Sequence, residues 1–190
     1  MENTDWPDVV ATINGDEDAY ARIVRRYEES ITGLLWRFTR DRVQCEELVQ
    51  QVFVDAYFSL KGYRGDAPLL HWLRKIATRT GYHFWRDKAR EPADTTLPDS
   101  DILEQIEADQ DDDIDPAEAA AVMHGLLGRL SPDDRLVLTL MYFEDCGTQE
   151  IAERMGWSRA KVKTQALRAR RKIKEIAERE HLLEKLGWTL

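Results

Sequence analysis

Apolar side chains recur at helical spacing through most of the chain, and no run alternates with period two for long enough to make a strand. After Gly15, Asp16 is placed to cap a helix whose inner face would be Tyr20, Ile23, Val24, Tyr27 and Ile31, continued by Leu34, Leu35 and Phe38. Leu48, Val49, Val52, Phe53, Ala56 and Tyr57 form a second amphipathic stripe. The glycine-containing segment 61–66 interrupts it. Pro68 then suits the first turn of a third helix, with Leu69, Trp72, Leu73, Ile76 and Ala77 as its core face.

The pattern resumes beyond residue 115. Ser131-Pro132-Asp133-Asp134 is a strong helix start: a capping serine, a proline at the first position and two acids at the positive end of the helix dipole. The apolar run then reaches Phe143. Thr148 is placed to cap a short helix, Gln149 to Met155, and Ser158 a longer one from Arg159 to about Glu178. Two helices that cross steeply need a small residue at the crossing, here Ala152, and a turn residue free to take positive φ, here Gly156. Ile151, Met155, Trp157 and Val162 supply the apolar contacts between them. The spacing predicts a helix–turn–helix.

The chain has 190 residues and a formal net charge of −9, which as an average argues against a nucleic-acid partner. Taken by segment, the charge says the opposite. Residues 61–90 hold 8 bases and 2 acids, residues 158–174 hold 8 bases and no acid, and residues 91–115 hold 11 acids and no base. The acidic stretch also contains Pro92 and Pro98 and no aromatic, the composition of a linker. It divides the chain into a domain over 1–90, a flexible linker over 91–115, a second domain over 116–178 and a tail over 179–190. Leu182, Leu183, Leu186 and Trp188 of the tail are expected to pack on the second domain.

The two basic islands differ in texture. On the last helix, Ser158 sits at the start and Arg159, Lys161, Lys163, Thr164, Arg168, Arg170 and Arg171 are expected to face outwards, a surface that fits the DNA major groove. The cluster Arg170-Arg171-Lys172 suits phosphates. In the first island Tyr63, Trp72, Tyr82, Phe84 and Trp85 alternate with Arg64, Arg74, Lys75, Arg79, Arg86, Lys88 and Arg90. Aromatic faces stack unpaired bases while cations follow the backbone, so this mixture suits melted DNA. Trp72 reads as core; Tyr63, in the loop, reads as the stacking residue.

Other chemistries find little support. Cys45 and Cys146 lie far apart and form neither a disulfide framework nor a zinc motif. His71, His83, His124 and His181 are scattered, with no metal-ligand spacing and no nucleophile–base pattern. No enzymatic activity, catalytic residue, metal or cofactor is expected. No apolar stretch approaches the ~20 residues of a membrane span, and residues 1–8 lack a signal-peptide core, so a cytoplasmic protein without membrane insertion is expected. A stand-alone helix–turn–helix regulator with a sensing N-terminal half is a second reading, but that half shows no receiver-type acidic pocket and no βα alternation.

The order of these features, LVQQVF, YRGD, HWLRKIA, an acidic linker, LSPDDRLVLTLMYFEDC and the helix–turn–helix, resembles the extracytoplasmic-function class of bacterial sigma factors over about residues 16–176. The resemblance implies an all-α protein of two small helical domains, the second a helix–turn–helix, winged-helix-like DNA-binding domain. It implies core RNA polymerase (its clamp coiled coil and flap), promoter DNA and an anti-sigma factor as partners. Carried onto this chain, polymerase binding falls on Glu46, Glu47, Leu48, Gln50, Gln51 and Phe53. Readout and melting of the −10 element fall on Tyr63, Arg64, Gly65 and Asp66, with a base flipped into that loop, and on Arg74, Lys75, Arg79 and Arg86. The −35 element falls to the last helix. The linker would thread towards the active site and RNA exit channel as a polyanion mimic. Three departures from the family pattern stand out: Gln44-Cys45-Glu46-Glu47 replaces the common Asp-Ala-Glu-Asp, Arg79 stands where Asn is frequent, and Ala166, with Gln165 before it, stands where a larger aliphatic is usual in the recognition helix.

Overall fold

In the computed structural model the described residues are 4–90 and 116–179. The acidic segment 91–115 and the tail from 180 onwards, with the packing expected of Leu182, Leu183, Leu186 and Trp188, lie outside them. The chain divides into two compact units. Among the described residues both are helical and no strand occurs, so the helix–turn–helix carries no β wing.

The first unit contains α1 (Trp6–Ile13), α2 (Glu17–Leu35), α3 (Arg42–Ser59), a 3₁₀ turn over Leu60–Gly62 and α4 (Leu69–Lys88). The caps follow from local chemistry. The Asp16 side chain accepts from the Ala19 amide at 3.0 Å and opens α2; Asp41 does the same for the Gln44 amide at 3.0 Å and opens α3. Ile23, Ile31, Leu34, Leu35, Val52, Leu69 and Leu73 form the dry centre between α2, α3 and α4. α4 approaches Phe38 so closely that only glycine fits at 81: a Cβ there would lie 2.5 Å from the Phe38 ring. Trp85 covers the same ring at 4.4 Å between centroids and donates its indole N–H to the Phe38 carbonyl at 2.7 Å.

The pattern does not predict α1, because only eight residues carry it and Pro7 interrupts the apolar run. It is held by charge as well as by buried Val9. Asp5 accepts from Arg26 at 2.5 Å and from the Tyr27 hydroxyl at 2.6 Å, and Asp8 pairs with Arg22 at 2.9 Å and Arg26 at 3.0 Å. Burial works against the Asp8 carboxylate, but the hydrogen bonds and charges of Arg22 and Arg26 hold its pKa below the ordinary value. Burial first, then the bond to Asp5, pushes the Tyr27 phenol up to about 12.

Beyond the acidic segment follow α5 (Pro116–Gly128), α6 (Pro132–Tyr142), α7 (Thr148–Met155) and α8 (Arg159–Arg179), all in the second unit except residues 153–155 at the end of α7. Ser131 caps α6, and α6 packs along α8. Val122, Leu126, Leu127, Leu130, Leu138, Ala169 and Ile176 make one core. α5 is the second helix absent from the sequence-based prediction. It carries hardly any charge, so it shows no polar face against which a stripe stands out. Both cysteines are free and buried, and burial raises the Cys45 thiol pKa. Among the described residues no helix is long and apolar enough to cross a membrane.

Candidate nucleic-acid interface

The turn between α7 and α8 is set by Gly156 at φ 68°, and the Trp157 amide closes α7 on the Ala152 carbonyl at 2.9 Å. Ser158 is used locally: its hydroxyl accepts from the Lys161 amide at 3.1 Å and caps α8. Val162, Gln165, Ala166 and Ala169 turn inwards. This accounts for one of the departures noted above. Gln165 and Ala166 lie on the packed side and are buried, so neither is part of the outward face of α8.

The eight cations of the last basic segment are not equally available. Lys161 lies 3.5 Å over the Trp157 ring and pairs with Asp133 at 3.1 Å. Arg159 donates to the Thr148 hydroxyl at 3.3 Å, Arg170 to the Tyr142 hydroxyl at 2.8 Å, and Arg171 pairs with Glu175 at 2.9 Å. The Thr164 hydroxyl donates to the Ala160 carbonyl at 3.0 Å. Lys172 is exposed with no side-chain partner among the described residues, and so are Lys163 and Arg168. Between them stands Leu167, 71 % exposed, which the sequence reading missed. An apolar residue on the charged side of the helical wheel was the available signal. Lys163, Thr164, Leu167 and Arg168 thus form one continuous outward patch, with the chemistry for base edges and for a thymine methyl.

The family models match in the same places. The model described as "Sigma-70, region 4" matches residues 120–173, and "Sigma-70 region 2" matches residues 23–91. The chain belongs to the sigma-70 family. This sigma factor is 32 % identical over 168 residues to the RNA polymerase sigma-H factor of Pseudomonas aeruginosa, covering 84 % of this chain and 86 % of that one. It is 28 % identical to the ECF RNA polymerase sigma-E factor of Haemophilus influenzae, covering 90 % and 93 %. It is an extracytoplasmic-function sigma factor, a promoter-specificity subunit of RNA polymerase. The fold matches a chain in the "Structure of CnrH in complex with the cytosolic domain of CnrY" with a TM-score of 0.59 at 20 % identity, over 92 % of this chain and 97 % of that chain. A second match is the "Co-crystal structure of the sigma factor RpoE in complex with the anti-sigma factor NepR from Bartonella quintana", with a TM-score of 0.56 at 17 % identity, covering 84 % and 96 %.

In the first unit the sigma factor departs from several residue expectations. Phe53 is buried, and its carbonyl accepts from the Tyr20 hydroxyl, so its ring is core and not a docking contact. Glu46, Glu47, Gln50 and Gln51 are exposed on α3 and Leu48 is half-buried. The outward apolar and aromatic residues of α3 are instead Val43, Val54, Tyr57 and Phe58, the last 78 % exposed. Gln44 and Cys45 face inwards: Cys45 is buried, and the Gln44 side-chain oxygen accepts from Lys88 at 3.2 Å. The acid missing from this motif is therefore not missing from the exposed face.

Tyr63 also departs from expectation. Its ring is 5 % exposed, between Trp6 and Trp72, and its hydroxyl donates to the Ala67 carbonyl at 2.6 Å. A ring so enclosed cannot stack a base; it holds the loop. Gly65 takes φ 77°, which turns the exposed Arg64 and Asp66 outwards. On α4, Arg74 reaches back to Ser30 on α2 at 3.5 Å, and its buried Nε has no partner. Lys75 and Arg86 are half-buried, Arg86 lying 5.7 Å over the Tyr82 ring, and Arg79 is exposed. Trp72, Lys75, Arg79, His83 and Arg86 fall along one stripe. Tyr82 and Trp85 are buried. Among the described residues no three His, Cys, Asp or Glu side chains are gathered as a metal site.

Proposed function

We propose that the sigma factor divides promoter reading between its units. The second reads the −35 element through Lys163, Thr164, Leu167 and Arg168, with Arg170 and Arg171 near phosphates. The first contacts unwound −10 DNA through Arg64, Gly65 and Asp66 and through Lys75, Arg79 and Arg86 of α4. The exposed side of α3, with Glu46, Glu47, Gln50, Gln51, Val54 and Phe58, meets the clamp coiled coil of core polymerase; acids around apolar contacts suit a basic partner. An apolar cavity of about 630 Å³, lined by Met123, Leu127, Leu138, Phe143 and Ile173, is the surface offered to the flap. The protein acts in the cytoplasm, without catalysis of its own, and is held in check by an anti-sigma factor.

The observation that carries this reading is the patch on α8, where Lys163 and Arg168, both outward and without a partner among the described residues, flank an exposed leucine on the second helix of a helix–turn–helix. In-vitro transcription with core polymerase and a genomic promoter library tests it. Initiation at a defined set of promoters sharing −35 and −10 elements is expected. Sequence-specific DNA binding without core, and no initiation with it, would overturn the reading in favour of a stand-alone regulator.

A further inference from the structure

The loop assigned to −10 contact needs an aromatic surface for an unpaired base, and its own tyrosine is enclosed. The aromatic cluster nevertheless has an outer member. Tyr63 lies 5.6 Å from Trp72 and 6.2 Å from Trp6 between centroids, and Trp6 is 41 % exposed. α1 packs on the 3₁₀ turn that leads into this loop. The ridge continues along α1 through Val10, 39 % exposed, and Ile13, 37 % exposed, at helical spacing from Trp6. Lys61 and Arg64 flank Tyr63 in the chain, are both exposed, and have no side-chain partner among the described residues. An exposed indole beside two available cations is the combination that holds single-stranded nucleic acid: the ring takes the base and the cations take the phosphates.

From this geometry we propose that Trp6 is a stacking platform for an unpaired base of the melted promoter strand, with Lys61 and Arg64 on the adjoining phosphates. The inference rests on the reading of the Tyr63–Asp66 loop as a −10 contact. It gives α1, which lies outside both family matches, a part in holding open DNA. Tyr63 then has a supporting role: hydrogen-bonded at its hydroxyl, it fixes the inner side of the cluster on which Trp6 rests.

The test is binding of reconstituted holoenzyme to a fluorescein-labelled fork-junction probe, unpaired over the −10 element of a promoter selected in the transcription screen. Trp6→Ala is expected to weaken fork binding about ten-fold or more, Trp6→Phe to retain most of it, and assembly with core to be unchanged. Trp6→Leu separates stacking from packing, since leucine keeps an apolar contact with Tyr63 but has no π face. It is expected to lose binding as alanine does, and binding equal to wild type would overturn the proposal. If Trp6→Ala binds the fork normally while Arg64→Ala does not, the platform is wrong and the −10 reading stands. If neither substitution weakens fork binding, the −10 reading fails and the proposal with it.

Discussion

The two basic helices, α4 with five cations and α8 with nine, use them differently. On α4 the inner side is fixed by aromatic packing, and three of the five cations are drawn inwards: Arg74 towards Ser30, Arg86 over Tyr82, Lys88 over Phe84 and onto Gln44. On α8 Arg159, Lys161, Arg170 and Arg171 are tethered to neighbours, while Lys163, Arg168 and Lys172 stay open, the first two around Leu167. Charge counted along a sequence therefore overstates the charge offered to a partner. What distinguishes a reading surface is which cations lack an internal partner, and what apolar group sits among them.

The largest effect expected is on the bed of α4. Gly81→Ala forces a methyl against the Phe38 ring and is expected to cost about 3 kcal/mol of the first unit's stability in urea unfolding, with Trp85 fluorescence altered. Binding of a −35 duplex by the second unit is expected to change little. Next comes the open patch. Arg168→Ala is expected to weaken promoter binding by about 2 kcal/mol and to relax the preference at one −35 position. Arg171→Ala, already engaged by Glu175, should weaken all sequences alike and reduce the salt slope by about one. Equal behaviour of Arg168→Ala and Arg171→Ala on −35 variants would remove the distinction between open and tethered cations.

Smaller effects test the seat of α1. Asp5→Ala leaves Tyr27 without its carboxylate and Arg26 with Asp8 alone, and is expected to cost roughly 1 kcal/mol, measured by thermal unfolding. Asp8 gives the smallest effect, and its sign is fixed by linkage. Its folded pKa lies below the ordinary 3.8, so its contribution is complete above that value and is lost as pH falls through the lowered folded value. Wild type and Asp8→Asn should therefore differ in urea midpoint at pH 6 and converge in strong acid. Arg22 and Arg26 are both substantially exposed, so added salt should shrink the difference.

Much of this was legible from spacing. Asp16, Ser131, Ser158 and Gly156 announced their caps and turn because those signals are local. The order of motifs identified the family. The missed elements lacked contrast: α5 is nearly uncharged, and α1 is short and bound by ion pairs to residues more than a dozen positions away. The misplaced site residues share another cause. Phe53 and Tyr63 are both aromatic, and whether such a ring faces the core or a ligand depends on tertiary neighbours such as Trp6 and Tyr20, which period alone does not reveal. Gln165 and Ala166 looked like altered readers only because their side of α8 was unknown.

The central claim is that the open patch of α8, and not its total charge, sets promoter choice. The most direct measurement is holoenzyme affinity across a library of −35 variants for wild type, Lys163→Ala, Leu167→Ala, Arg168→Ala and Lys161→Ala. The account predicts changed base preference for the first three substitutions and an unchanged preference for Lys161→Ala, whose ammonium is held by Trp157 and Asp133. Preference unchanged in all four, or lost only with Lys161→Ala, would contradict it.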